Sequence, residues 1–196
     1  MTLFPIFLKL TNRRCLVVGA GKIAEEKIEG LLSTGAEIRV VAPKATQRIH
    51  ALAREKKLRW HARPFKPADL KGTFLVVAAT SSSAIHEKIF AEARWQRVLC
   101  NVVDDPPHCD FYYGSVVRRG ALQIAISTAG KSPALAQRIR KLLEKQFGPE
   151  YEDWISVLGE ARDKLFSREM DPGERKKLLH ILASAEMFEE FLRHKK

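Results

Sequence analysis

Apolar residues fall along this chain in short unbroken runs, separated by stretches with helical spacing. RCLVV (residues 14–18) leads through a glycine turn into Ile23, Lys27, Ile28, Leu31 and Leu32, which recur at the period of one helix face and stop at Gly35. EIRVVAP (37–43), FLVVAAT (74–80) and RVLCNVV (97–103) are three more strand-like runs, and LRWHARPF (58–65) is a weaker one. ATQRIHALAREKK (45–57) places Ile49, Leu52 and Ala53 on one face, and SSSAIHEKIFAEARWQ (81–96) opens with serines suited to capping a helix. Strands that alternate with helices imply βαβ crossovers and a parallel sheet. Continuous apolar strands imply a sheet covered on both faces. The predicted class is α/β, with a doubly wound parallel sheet.

Beyond residue 110 the rhythm changes. FYYGSVV (111–117) and LQIAIST (122–128) are joined by RRGA, a link short enough only for antiparallel pairing. SPALAQRIRKLLEKQF (132–147) then reads as an amphipathic helix, with Ser132 as its cap and Pro133 as its first residue. Two further helices are predicted, over YEDWISVLGEARDKLF (151–166) and PGERKKLLHILASAEMFEEFLRHK (172–195).

Composition narrows the function classes. The chain has 196 residues, 45% apolar and 29% charged, as expected of a globular protein. No apolar run approaches the ~20 residues needed to span a bilayer. The opening MTLFPIFLKL lacks the basic start and small-residue site of a signal peptide. Three cysteines, Cys15, Cys100 and Cys109, are too few and odd in number for a disulfide framework and fit a reducing cytoplasm. The net charge of +11 is uneven: +13 over residues 1–148 and −2 over the remainder. Such a field attracts polyanions, whether nucleic acid or a small polycarboxylate.

Three stretches carry candidate chemistry. LVVGAGKIA (16–24) has the G-x-G-x-x-A pattern between a strand and a helix. Gly19 permits the tight turn, Gly21 lets a phosphate approach the backbone, and Ala24 allows close helix–strand packing; Ala20 lies between the glycines. The next strand ends VVAPKAT, without the acid that usually holds the adenosine ribose. Lys44 could meet a 2′-phosphate, giving an NADP reading; backbone at Pro43 and Lys44 could hold NAD instead. Thr80 and Ser81 follow a strand that would face the cofactor, and both are also fit to cap the next helix.

The second stretch is NVVDDPPHCDF (101–111). In open α/β sheets ligands bind beyond the carboxyl ends of the strands. Asn101 to Asp105 occupies such an end: Asn101 and Val103 are candidate cofactor contacts, and Asp104 and Asp105 are placed to face a bound nicotinamide, with Asp104 the candidate base. Asp105 reads as a solvated acid in a rigid turn made by Pro106 and Pro107. His108, Cys109 and Asp110 are too close in sequence to converge on one tetrahedral metal, so no metal ligands are assigned. The third stretch is ISTAGKSPALAQRIRK (126–141). Ser127, Thr128, Lys131, Ser132 and Arg138 gather hydroxyls and cations at a helix N-terminus, an anion-binding pattern that also describes an ordinary capped basic helix.

In this order and at these spacings, FPIFLKL, LVVGAGKIA, FLVVAAT, CNVVDDP and ISTAGKSPALAQRIR resemble the siroheme synthase N-terminal module, that is, precorrin-2 dehydrogenase, often also sirohydrochlorin ferrochelatase. The likeness is strong over residues 3–148 and looser beyond. It implies a Rossmann-like NAD-binding domain over residues 1–112, a small α+β dimerisation region over 113–148 and a helical C-terminal domain over 149–196. It implies an interlocked homodimer, NAD as cofactor, precorrin-2 and sirohydrochlorin as substrates, and Fe²⁺ as co-substrate in bifunctional members. The family's key aspartate falls on Asp104, and its cofactor contacts on the glycine loop, including Lys22 and Ile23, and on Pro43 and Lys44. Thr128 stands where the family often has serine. The competing reading is a redox-sensing Rossmann module with a basic nucleic-acid-binding face; no helix-turn-helix or RNA-binding signature accompanies it, and the resemblance implies neither a nucleic-acid nor a membrane partner.

Overall fold

The five β-rich runs become five parallel strands: β1 (Arg14–Val18), β2 (Glu37–Val41), β3 (Arg59–His61), β4 (Leu75–Ala78) and β5 (Leu99–Val102). They are seen in a computed structural model that describes residues 3–195. The strand order is β3-β2-β1-β4-β5, all neighbours parallel. The chain runs outward from β1 to β3, then crosses to the other side of β1 for β4 and β5. That reversal puts a topological switch point between β1 and β4, and at such points open α/β sheets bind ligands beyond the carboxyl ends of their strands.

Helices α1 (Lys22–Leu32), α2 (Gln47–Arg54) and α3 (Ser83–Trp95) supply the crossovers. Ala24, Ile28, Leu31, Ile49 and Leu52 cover one face of the sheet with Cys15, Val17, Val40 and Val77. Ile89, Ala93 and Leu70 cover the other with Leu16, Val41, Val76 and Cys100. The continuous apolar strands are thus buried from both sides. Burial pushes the thiol of Cys15 up to about 11 and that of Cys100 up to about 12, so both stay protonated core groups at neutral pH.

Between β3 and β4 the chain makes a short 3₁₀ turn, Pro67–Leu70, where an acid is buried. Asp69 is 4% exposed; it accepts hydrogen bonds from Arg63 at 2.5 and 2.9 Å and from the Lys66 N–H at 2.8 Å. Burial pushes its carboxyl upward, but these hydrogen bonds and the Arg63 charge together hold it below the ordinary value. Because its pKa is lowered, its stabilisation is present above the unfolded-state value of ~4 and is lost as pH falls through the folded-state value. Asp69→Asn is expected to lower the melting temperature at pH 7 by roughly 4–8 °C. Thermal scans at pH 7 and pH 3 check this, since the gap between variant and parent should shrink at the acid end.

Residues to 112 form one compact unit and residues from 113 another. In the second, β6 (Ser115–Arg119) and β7 (Leu122–Ile126) make an antiparallel hairpin, with Gly120 at φ +54 in its turn. Helix α4 (Pro133–Gln146) packs on it, capped by Ser132 with Pro133 first. Helix α5 (Glu150–Phe166) follows. Its Trp154 packs with Phe188 and Phe191. The single helix expected over 172–195 is two: α6 (Pro172–Leu182) and α7 (Ala185–His194). Ser184 interrupts them because its hydroxyl accepts the Met187 N–H and caps α7. No helix among the described residues is long and apolar enough to cross a membrane.

Candidate functional site

The glycine loop leaves β1 at the switch point. Gly19 donates its N–H to Val41 O at 3.0 Å, and Ala20 O accepts from Thr46 N–H at 3.1 Å, so the end of β2 fixes the loop. Gly19 has φ +105, and a Cβ there would lie 2.2 Å from Ala79 O. The chain's own packing therefore demands this glycine. Gly21 is different: its φ of −87 suits any residue, and a Cβ would meet nothing within 4 Å. It caps α1 with no side-chain hydrogen bond, so no cap side chain occupies the first-turn N–H groups. A missing side chain before an uncapped helix N-terminus is the cradle a pyrophosphate needs. Ala24, fully buried, brings α1 close to the sheet. The loop thus fits a dinucleotide; Lys22 and Ile23 are exposed beside it.

At the end of β2, Pro43 and Lys44 are exposed, and Trp60 Nε1–H holds Ala42 O at 3.1 Å. Lys44 forms no ion pair among the described residues, whereas nearby Arg48 is bound to Glu29 at 2.7 and 2.9 Å. Past β4, Thr80 accepts the Ser82 N–H on its hydroxyl, and its carbonyl accepts a hydrogen bond from buried His86 Nε2 at 2.9 Å. The serines do not cap α3 with their side chains, contrary to expectation: Ser82 occupies the cap position without a side-chain bond, and Ser81 is exposed.

Beyond β5 comes the acidic loop. Asp104 is exposed and has φ +60, the left-handed region that an L-residue other than Asn or Asp seldom adopts. Val103 is anchored behind it through its N–H to Ala78 O at 2.9 Å. Asn101 is buried, and its amide donates to Phe111 O at 2.8 Å. Its side chain ties down the returning loop instead of facing outward. Asp105 is not a solvated acid: its carboxylate accepts from His108 Nδ1 at 2.7 Å, and both side chains are about 30% exposed. The 3₁₀ turn Pro106–His108 supplies the i, i+3 spacing for this pair. Cys109 donates its thiol to Val102 O at 3.1 Å; burial above all pushes that thiol up. Among the described residues no His, Cys, Asp and Glu converge as a metal site.

One edge of one unit therefore collects Gly19, Ala20, Gly21, Lys22, Ile23, Pro43, Lys44, Thr80, Ser81, Val103 and Asp104. Ser127, Thr128, Lys131, Ser132 and Arg138 belong to the second unit. There Ser127 accepts the Ala129 N–H, Thr128 the Ser132 N–H and Ser132 the Leu135 N–H, each at 3.1–3.2 Å. The three hydroxyls hold a loop with two left-handed residues, Ala129 and Gly130, and keep their own protons for an external acceptor. Lys131 and Arg138 are exposed and form no ion pair among the described residues, while Arg140 is paired with Glu144. The residue pair that sequence reasoning missed is Asp105–His108; its only signal is an acid three positions before a histidine across two prolines.

Residues 6–115 match the model of a family described as "Putative NAD(P)-binding", and residues 119–146 match "Sirohaem biosynthesis protein central". A siroheme synthase of Neisseria meningitidis serogroup C is 38% identical over 177 residues, covering 90% of this chain and 37% of the relative. Siroheme synthase 1 of Serratia proteamaculans gives the same figures. This chain thus spans little more than a third of the relatives' length. The solved structure of SirC, precorrin-2 dehydrogenase, superposes with a TM-score of 0.78 at 28% identity, covering 98% of each chain.

Proposed function

We propose that this chain, which belongs to the family described as "Putative NAD(P)-binding", is a siroheme synthase N-terminal module that dehydrogenates precorrin-2 to sirohydrochlorin with NAD⁺. The observation that carries the reading is the outward-held Asp104 on the same sheet edge as the glycine loop. Removing two hydrogens from a carbon framework requires a hydride acceptor and a proton acceptor. NAD⁺, bound on the loop, supplies the first. Asp104 takes the proton: its carboxylate is exposed, and its backbone is fixed on both sides. Precorrin-2 carries eight carboxylates. Ser127, Thr128 and Ser132 offer hydroxyl protons to them, and Lys131 and Arg138 offer unpaired positive charge. A net +13 over residues 1–148 draws such a polyanion in.

Purified protein given precorrin-2 and NAD⁺ should produce NADH and the sirohydrochlorin spectrum together. No turnover, with NAD⁺ binding demonstrated separately, would sink the reading. Adding Fe²⁺ to preformed sirohydrochlorin without NAD⁺ tests the second activity, for which the same carboxylate would accept pyrrole N–H protons. The proposal includes a homodimer organised as residues 1–112, 113–148 and 149–196, working in the cytoplasm on small molecules; sedimentation tests the dimer.

The end of β2 adds an expected selectivity. No Asp or Glu occurs in the sequence between residues 38 and 54, and Lys44 forms no ion pair among the described residues. NADP⁺ should bind as well as NAD⁺, within about tenfold, and Lys44→Glu should weaken NADP⁺ by about tenfold or more while leaving NAD⁺ within twofold. Titration calorimetry with both dinucleotides checks this. Equal losses for the two would remove Lys44 from the phosphate's neighbourhood.

A further inference from the structure

The acidic loop contains more ordered side-chain chemistry than a turn requires. Asp104 sits in a left-handed backbone conformation, at φ +60, that is costly for an ordinary L-residue. Such a conformation persists only where its neighbours over-determine it. On the N-terminal side the constraint is β5 itself, through Val103 N–H to Ala78 O. On the C-terminal side the backbone bond Asp105 N–H to Val102 O is long, at 3.3 Å. The shorter link is made by side chains: Asp105 carboxylate to His108 Nδ1 at 2.7 Å, closed by His108 N–H to Asp105 O at 3.0 Å. The imidazole is braced from α3 by the ring of Phe90, centroids 4.8 Å apart at 70°.

We infer that the Asp105–His108 pair is a positioning device for the proposed base, fixing the backbone at Asp104 so that its carboxylate is aimed out of the sheet edge. Neither residue is assigned contact with substrate or cofactor. The inference rests on the proposed role of Asp104. The pair acts through geometry: a carboxylate turned away by even an ångström loses much of its advantage in proton transfer. With Nδ1 as donor, the histidine needs only one N–H at that place. An asparagine amide can supply it, and a leucine cannot.

The test is steady-state kinetics of NAD⁺-dependent precorrin-2 oxidation with NAD⁺ titrations and melting curves on the full chain. His108→Leu is expected to lower kcat roughly tenfold, with KM for precorrin-2 and Kd for NAD⁺ within twofold of the parent. His108→Asn should recover kcat to within about threefold of the parent. Asp105→Ala should match His108→Leu, and the double variant should be no slower than either, because the two act as one unit. If His108→Leu melts well below the parent, the comparison of His108→Asn with Asp105→Ala still decides. The inference is overturned by a parent-like kcat in His108→Leu and Asp105→Ala, by no recovery in His108→Asn, or by NAD⁺ affinity falling as far as kcat. Asp104→Asn is measured alongside. If it also turns over like the parent, the base assignment and this inference fall together. If it is slow while the pair's variants are fast, only the inference falls.

Discussion

Asp104→Asn is expected to lower kcat for precorrin-2 dehydrogenation by about 10²–10⁴-fold, the usual contribution of a general base, with NAD⁺ affinity and melting temperature close to the parent's. Asparagine is the sharper substitution. It tolerates the left-handed conformation at φ +60 about as well as aspartate and keeps the shape, removing only the proton-accepting charge. Asp104→Ala should lose as much rate but also about 1 kcal/mol of stability, because alanine is strained there. Stopped-flow or steady-state NADH formation, with a melting curve for each variant, separates the two effects. A parent-like rate in Asp104→Asn would refute the assignment.

The second large effect separates two glycines of one loop. Gly19→Ala should cost about 3–5 kcal/mol, since the methyl group would lie 2.2 Å from Ala79 O and the backbone is at φ +105. For a chain of this size that lowers the melting temperature by roughly 10 °C or more. Gly21→Ala should stay within about 1 kcal/mol of the parent, because the space around that position is open. Its affinity for NAD⁺ should nevertheless fall tenfold or more, since the methyl group occupies the approach of the pyrophosphate. Melting curves and dinucleotide titrations on the two variants give opposite patterns. Parent-like NAD⁺ binding by Gly21→Ala would mean that the phosphate lies elsewhere.

The legible part of this fold was the part governed by period. RCLVV, EIRVV, LVVA and LCNV read as buried strands because every residue in them is apolar or neighbours one that is, and the helices between them keep their 3.6-residue rhythm. The glycine loop was legible because φ and close approach leave few residue choices. Local side-chain bonds were not legible. Ser184 splits a run that is helical in composition throughout, because one hydroxyl competes for one N–H. Asn101 reads as a strand-end polar group but spends its amide on Phe111 O, a partner fixed only by how the loop returns. Asp105 reads as solvated because nothing in the sequence places His108 within 2.7 Å of it. Spacing reveals which side chains share a face; it does not reveal which of them a turn brings together.

The returning loop has a consequence for solubility. β5 ends the sheet, and an end strand with bare backbone groups is a template for pairing with another molecule. Here Asp110 satisfies both outward groups of Cys100, accepting its N–H at 2.9 Å and donating to its carbonyl at 2.8 Å, while Cys109 covers Val102 O. The segment that aims a carboxylate outward also closes the sheet against strand addition. Lesions in it, such as Asp110→Ala, should therefore show first as concentration-dependent aggregation on storage, ahead of any change in how the folded molecule melts.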